Sequence, residues 1–191
     1  GEDPYLGSKI AEARVKGLQG DNLSDPLTIA ACAKHFAGYG FAEGGREYNT
    51  TVISGDILHN IVLPPFKACV DAGVATFMNG FNQMNGIPVT GHVQLQRKIL
   101  KGQWEYEGMI VSDWGSIGEM TVHGYAANEK EAGLKAILAG SDMDMESYVY
   151  EKYLKTLVEE GKVDVELIDD AARRILNLKH ELGLFEDPYK Y

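Results

Sequence analysis

No stretch of this sequence approaches the roughly 18 consecutive apolar residues that a membrane-spanning helix requires, so no segment is expected to cross a bilayer. Basic charge is also scarce: 18 Lys and Arg face 28 Asp and Glu, giving a formal net charge of −10. Phosphate backbones are bound by basic patches, and no block of Lys and Arg occurs here, which argues against a nucleic-acid partner. Cysteine is limited to Cys32 and Cys69. Cys32 falls in an apolar strand-like run and Cys69 on an apolar helix face, so both read as buried thiols behaving as small hydrophobes. A disulfide is not deducible from their spacing, and their number does not fix a compartment. The opening residues Gly1-Glu2-Asp3-Pro4 lack the charged and apolar regions of a signal peptide, and no initiating Met is present. The chain is therefore expected to start inside a longer protein. Internal repeats and low-complexity segments are absent as well.

What is present is an ordinary globular composition, 45% hydrophobic and 24% charged over 191 residues, long enough for one domain or part of a larger one. Asp3, Pro4 and Gly20 predict a first helix with a cap, a first-turn proline and a terminating glycine, and Leu6, Ile10, Ala13 and Leu18 give it a rough apolar face. An alternation then sets in. Strand-like runs are expected within Leu27 to Phe36, Gly73 to Met78, Gly108 to Val111 and, briefly, Ser141 to Met145. Helical segments are expected from Ser54 to Asp71 with a break at Pro64-Pro65, from Val93 to Leu100, from a capping box at Asn128 and Glu131 through Leu138, and over Tyr150 to Glu160 and Glu166 to Leu182. Successive strand-then-helix units predict a parallel α/β sheet. Their spacing of about 35–45 residues is close to the repeat of a (β/α)8 TIM-type barrel, whose eight units take roughly 250 residues. Four units plus a terminal helix make the second half of such a barrel, over residues 1–184. Residues 185–191 read as the start of a linker. An open doubly wound sheet is the alternative.

Each strand-like run ends in polar residues: Lys34-His35, Asn79, Asp113, and Asp142 with Asp144. The C-terminal strand ends of a βα barrel converge on its active site, which makes these positions candidates on placement alone. Asp113 is the best single one. A carboxylate after the apolar run Met109-Ile110-Val111 is costly to bury without partners or a task, and the neighbouring Trp114 offers a flat face for a pyranose. Its structural alternative is a strand-end Asp capping the next helix. Adjacent strand residues point to opposite faces, so Lys34 and His35 serve one site only where the strand is ending; otherwise one is solvated and the other packs. Arg46, in Glu43-Gly44-Gly45-Arg46-Glu47-Tyr48, could bring a five-donor fork to a ligand or sit in a mobile loop. Asp142 and Asp144 read as supports of the barrel mouth, and two Asp residues alone define no metal site. His59 and His180 read as helix-surface residues, His92 and His123 as structural loop residues.

In register, Lys34-His35-Phe36, Gly45-Arg46-Glu47-Tyr48, Leu63-Pro64-Pro65-Phe66, Met78-Asn79 with Asn85-Gly86-Ile87-Pro88, Ser112-Asp113-Trp114, Gly140-Ser141-Asp142-Met143-Asp144-Met145, Arg173-Arg174-Ile175-Leu176 and Gly183-Leu184-Phe185 resemble family 3 glycoside hydrolases, nearest the bacterial periplasmic β-glucosidase branch. The resemblance covers essentially the whole chain. It implies a retaining, exo-acting β-glycosidase of β-glucosidase type, periplasmic or secreted, acting on an oligosaccharide or β-glucoside. Asp113 would be the nucleophile. Lys34 and His35 would bind the terminal sugar, with Lys34 favouring the charged form of Asp113. Arg46 would shape that subsite, Trp114 would line the pocket, and Phe81 and Met78 would lie near it, Met78 mainly packing. No cofactor and no metal are implied. The acid/base Glu would come from a separate downstream α/β domain, and an N-terminal barrel half would complete the barrel; a homodimer is compatible. The stretch Gly38 to Gly45 contains no histidine, unlike the β-N-acetylglucosaminidase branch, whose acid/base His lies there. A β-xylosidase or other β-glycosidase of the same family, a non-catalytic sugar-binding relative, and a Schiff-base enzyme built on Lys34 are the competing readings.

Overall fold

The first helix begins where a side chain can replace the missing helical acceptors. In the computed structural model, which describes residues 2–189, Asp3 accepts hydrogen bonds from the amides of Tyr5 and Leu6, and α1 runs over Pro4–Gln19 until Gly20 turns the chain with φ 55°. Its expected apolar face is not the one that packs. Leu6, Ile10 and Leu18 are 56%, 46% and 44% exposed, whereas Ala11, Val15 and Gln19 face the core at four-residue spacing. The Leu6 stripe instead borders a groove of about 650 Å³ between α1 and the first strand. Gln19 earns its burial through three hydrogen bonds: Oε1 accepts from the amides of Ala31 and Ala75, at 3.2 and 2.8 Å, and Nε2 donates to the Gly73 carbonyl at 2.9 Å. One side chain thus pins the roots of two strands.

The main sheet has three parallel strands in the order β1-β3-β6, with β1 Cys32–Phe36, β3 Thr76–Asn79 and β6 Met109–Val111. Between β1 and β3, β2 Thr50–Thr51 leaves the glycine-rich loop, and α2 Gly55–Ile57 starts a longer helical segment capped by Ser54. Pro64 and Pro65 cannot donate hydrogen bonds, and the helix widens to π bonding over Leu58–Val62 before α3 Leu63–Asp71 resumes. After β3, β4 Gln83–Met84 and β5 Ile87–Pro88 form a small second sheet with β2, which ties the two long loops together. Asn85 reinforces the tie, accepting from the Ile53 amide and donating to its carbonyl. This second sheet has no signal in the sequence, because two-residue strands carry no period. The next helix is a π-helix, Gln94–Gln103. Beyond β6 come α4 Ser116–Glu119, α5 Glu129–Ala139, α6 Val149–Glu159 and α7 Val165–Glu181. All three residues of β6 are buried, as expected for a parallel strand covered on both faces. Phe36, Phe66, Phe77 and Tyr106 stack edge-to-face or tilted beside the main sheet at centroid separations of 5.0–6.1 Å.

Two further expectations are corrected. Cys69 is buried, but Cys32 is exposed, because β1 lies at the edge of the described sheet and Cys32 borders the α1 groove; both thiols are free. Ser141 to Met145 is not a regular strand. It touches β6 through a single bridge, Val111 to Met143, because Asp142 uses its side chain where a strand would use its backbone. Asp142 Oδ2 accepts the Ile110 amide at 2.8 Å, and the amides of Asp142 and Met143 both donate to the Ile110 carbonyl. The other carboxylate oxygen meets Lys101 Nζ at 2.5 Å, with the two side chains 1% and 6% exposed. Burial opposes both charges: it pulls the Lys101 ammonium down to about 8 and pushes the Asp142 carboxyl up, each only partly offset by the other. Asp144 accepts from the amides of Val149 and Tyr150 and from Ser147, capping the entry to α6. Both residues therefore brace the barrel mouth.

Lys101→Met strands a buried carboxylate and should destabilise the protein by about 3–5 kcal/mol. Adding Asp142→Asn, which removes that charge and keeps an acceptor for the Ile110 amide, should recover most of the loss. Thermal or urea unfolding of the single and double variants measures both; equal losses in the two would contradict the charge-stranding argument.

Candidate active site

The end of β6 is held so tightly that the next residue has little choice of position. Ser112 is fully buried; its amide donates to the Met143 carbonyl at 2.9 Å and its hydroxyl accepts the Met145 amide at 2.8 Å. Gly115, with φ 68°, then turns the chain into α4 while its amide donates to the Met145 carbonyl at 2.8 Å. Between these anchors lies Asp113, 7% exposed. Its Oδ1 accepts the Trp114 amide at 2.7 Å. Its Oδ2 is buried and takes no hydrogen bond from the described residues. The nearest cation-forming group is His35 Nε2, 3.3 Å from Oδ2 but off hydrogen-bond geometry. One oxygen of the carboxylate is thus fixed and the other is left without a hydrogen bond.

Lys34 and His35 reach this region from β1. The peptide bonds Lys34–His35 and Phe36–Ala37 are cis. The pairing of β1 with β3 slips between Ala33 and Phe36, so the strict alternation of faces ends here. Lys34 Nζ lies 3.9 Å from Met78 Sδ and forms no ion pair with Asp113 among the described residues; His35 occupies the position beside the carboxylate that Lys34 was expected to fill. Burial pulls the His35 imidazole below its usual range, Asp113 pulls it back up, and Lys34 adds to the lowering. The ring is therefore neutral near pH 7, and it packs edge-on against Tyr39 at 5.3 Å.

Phe81 sits in an aromatic wall beside these groups, 4.3 Å from Tyr48 and 6.2 Å from Tyr39 by ring centroids. His123 holds the wall from behind. Its Nδ1 accepts from Gln83 Nε2 at 2.9 Å and its Nε2 donates to the Phe81 carbonyl at 3.1 Å, partners that select the neutral tautomer with the proton on Nε2. Burial lowers its pKa in keeping with that state. Trp114 is 62% exposed at the rim. Arg46 is exposed as well; its guanidinium folds over Gly44 and makes no contact with Asp113 among the described residues. Gly38 is required where it stands: its φ is 79°, and a Cβ would lie 2.7 Å from both Ile53 and Met84. Tyr39, Tyr48 and Glu119 were not singled out from the sequence. Tyr39 and Tyr48 lie within motifs that were read for their charged and glycine residues. Glu119 lies on a four-residue helix whose length gives no period to read. Among the described residues no cluster of His, Cys, Asp and Glu could hold a metal ion, and no helix is long and apolar enough to cross a membrane.

The chain that carries this carboxylate at a strand tip is similar to known proteins. The sequence profile described as the glycosyl hydrolase family 3 N terminal domain matches residues 1–178. The chain belongs to glycoside hydrolase family 3. It is 44% identical over 191 residues to a periplasmic beta-glucosidase from Salmonella typhimurium, covering 100% of this chain and 25% of that protein. A lysosomal beta glucosidase from Dictyostelium discoideum is 36% identical, with 99% of this chain and 24% of the relative covered. A beta-xylosidase/alpha-L-arabinofuranosidase from Medicago sativa subsp. varia is 38% identical, with 100% and 26% covered. The crystal structure of a beta-glucosidase from Listeria innocua in complex with glucose superposes with a TM-score of 0.96 at 47% identity, over 99% of this chain and 27% of that one. The chain thus spans about a quarter of the length of these relatives, and its successive βα units are those of the family's barrel domain.

Because its folded-state value lies below the unfolded one, the His35 proton opposes folding. The stability it contributes is complete above the usual histidine range and is lost as pH falls through the lowered value. Asp113→Asn removes the opposing attraction and should lower the His35 pKa further. Titration of the imidazole signals by NMR reads this directly; an unchanged or raised value would mean that the Asp113 charge does not act on the ring.

Proposed function

We propose that this chain carries the nucleophile of a retaining, exo-acting β-glycosidase of β-glucosidase type. The observation that carries the reading is the Asp113 carboxylate: fixed through Oδ1 by the Trp114 amide, with Oδ2 buried, unpaired and next to a neutral imidazole. An oxygen with no hydrogen-bond partner keeps its lone pairs available for attack on an anomeric carbon. In retaining hydrolysis this oxygen forms a covalent glycosyl-enzyme while a second carboxyl, about 5–5.5 Å away, protonates the leaving oxygen and then activates water. We assign that second role to a Glu of a downstream α/β domain, and completion of the barrel to an N-terminal half docking along β1 and the exposed Leu6 stripe of α1. The similarity to relatives about four times as long supports this division.

In this reading Lys34 and His35 bind the terminal sugar, with Met78 packing beneath Lys34. Phe81 and Trp114 supply aromatic surface, and Arg46 swings from the loop when the subsite fills. The substrate is an oligosaccharide or β-glucoside, and the location is periplasmic or secreted; the Salmonella relative is named a periplasmic beta-glucosidase. A β-xylosidase is the second reading, supported by the similarity to enzymes so named.

Incubation of the protein with a 2-deoxy-2-fluoro-β-glucoside should add one fluoroglucosyl mass to the peptide bearing Ser112-Asp113-Trp114. Asp113→Asn should abolish labelling and lower kcat by ~10³-fold or more, the scale expected on loss of a nucleophile. Labelling of a different carboxylate would overturn the assignment, and labelling only by the xylosyl analogue would favour the second reading.

A further inference from the structure

Glu119 is a carboxyl within electrostatic reach of Asp113 that the mechanism leaves without a task. It lies six residues beyond Asp113, at the last position of α4, and is half-buried. Its Oε2 is buried and has no hydrogen-bond partner among the described residues. A buried carboxyl oxygen ordinarily finds a donor, since leaving it bare costs the full desolvation of the group. Here the surroundings are unfavourable rather than compensating. Burial pushes the Glu119 carboxyl up, the negative charge of Asp113 pushes it further, and its own charge acts in turn on the Tyr48 phenol. A carboxyl oxygen so placed is open to a donor from outside this chain, and a bound ligand is one such source.

Its position says which part of the ligand. Asp113 and His35 lie at the strand ends, and Lys34 meets Met78 between the strands. Glu119 belongs to the rim, in the same stretch as Trp114, 62% exposed, and Val122, 86% exposed, and within electrostatic range of Tyr48, 45% exposed. An exo-acting site takes the terminal sugar inward and leaves the departing group at the rim. Tyr48 and Phe81, 4.3 Å apart, give that rim an apolar face, and Glu119 adds a hydrogen-bonding group beside it. We propose that Glu119 hydrogen-bonds a hydroxyl of the leaving-group sugar and is a specificity-determining residue for oligosaccharides over simple aryl glycosides. This rests on the β-glycosidase reading above and adds to it the recognition of the departing unit.

The test compares wild-type protein, Glu119→Ala and Glu119→Gln, all in the full-length enzyme, on three substrates: laminaribiose or cellobiose, 4-nitrophenyl β-glucoside, and 2-deoxy-2-fluoroglucosyl fluoride. Glu119→Ala should lose roughly 10- to 100-fold in kcat/KM on the disaccharide, the scale of one hydrogen bond to a charged or strongly polar group. Its activity on the aryl glucoside and its inactivation by the fluoride, whose leaving groups carry no hydroxyl, should stay within about threefold of wild type. Glu119→Gln, which keeps an acceptor and gains donors, should recover part of the disaccharide activity. Equal losses on all three substrates would overturn the proposal in favour of a structural role. Undiminished disaccharide hydrolysis would overturn it outright. Failure of wild type on every glycoside would instead sink the β-glycosidase reading, and this inference with it.

Discussion

A single buried carboxylate, Asp142, holds the strand on which everything else is hung. By accepting the Ile110 amide it takes a place that a fourth strand's backbone would otherwise take, and Lys101 neutralises it from the other side. The segment that follows can then leave strand geometry, run past Ser112 and cap α6 through Asp144. Desolvation works against both partners of the pair. Such a pair is poor as a source of stability and good as a source of geometry, because neither charge tolerates the loss of the other. The precision of Asp113 is inherited from that arrangement, through the bonds of Ser112 and Gly115 to Met143 and Met145.

Around Asp113 the chemistry is one of withheld partners. Its Oδ2 has no donor among the described residues, His35 stands close but uncharged, Lys34 is occupied with a thioether, and the Glu119 Oε2 is likewise without a donor. In a packed interior these would count as defects. At a strand tip beside aromatic side chains they fit the proposed reading, in which a polyhydroxylated substrate satisfies the carboxylates with its donors while its C–H faces lie on the rings.

Much of this was legible before any coordinates. The polar residues at the ends of Met109-Ile110-Val111 and of the run ending at Lys34-His35 mark the converging strand ends, and the caps at Asp3 and Asn128 mark helix starts. What the sequence hid was hidden for physical reasons. The packed face of α1 is set by what it docks against, so Leu6 and Ile10 look like core residues until α3 claims the Val15 side. The bend after Asp142 depends on a side chain imitating a backbone group, which no periodicity reports. The second sheet, the aromatic wall and the position of Glu119 arise from loops meeting in space, and loops carry no repeat. Arg46, legible as a motif residue, rests over Gly44 with no contact to the carboxylate.

The separation between the strand that fixes Asp113 and the loops that shape its rim has an evolutionary consequence. Asp113, the proposed nucleophile, is held in place through Ser112, Asp142 and Lys101, all with buried side chains, so substitutions there are expected to cost stability. Tyr48, Phe81 and Trp114 stand on loops or at a strand tip, partly exposed, and their exchange leaves that lock intact. On the proposed reading, selection can retune which sugar is accepted without renegotiating how the bond is broken.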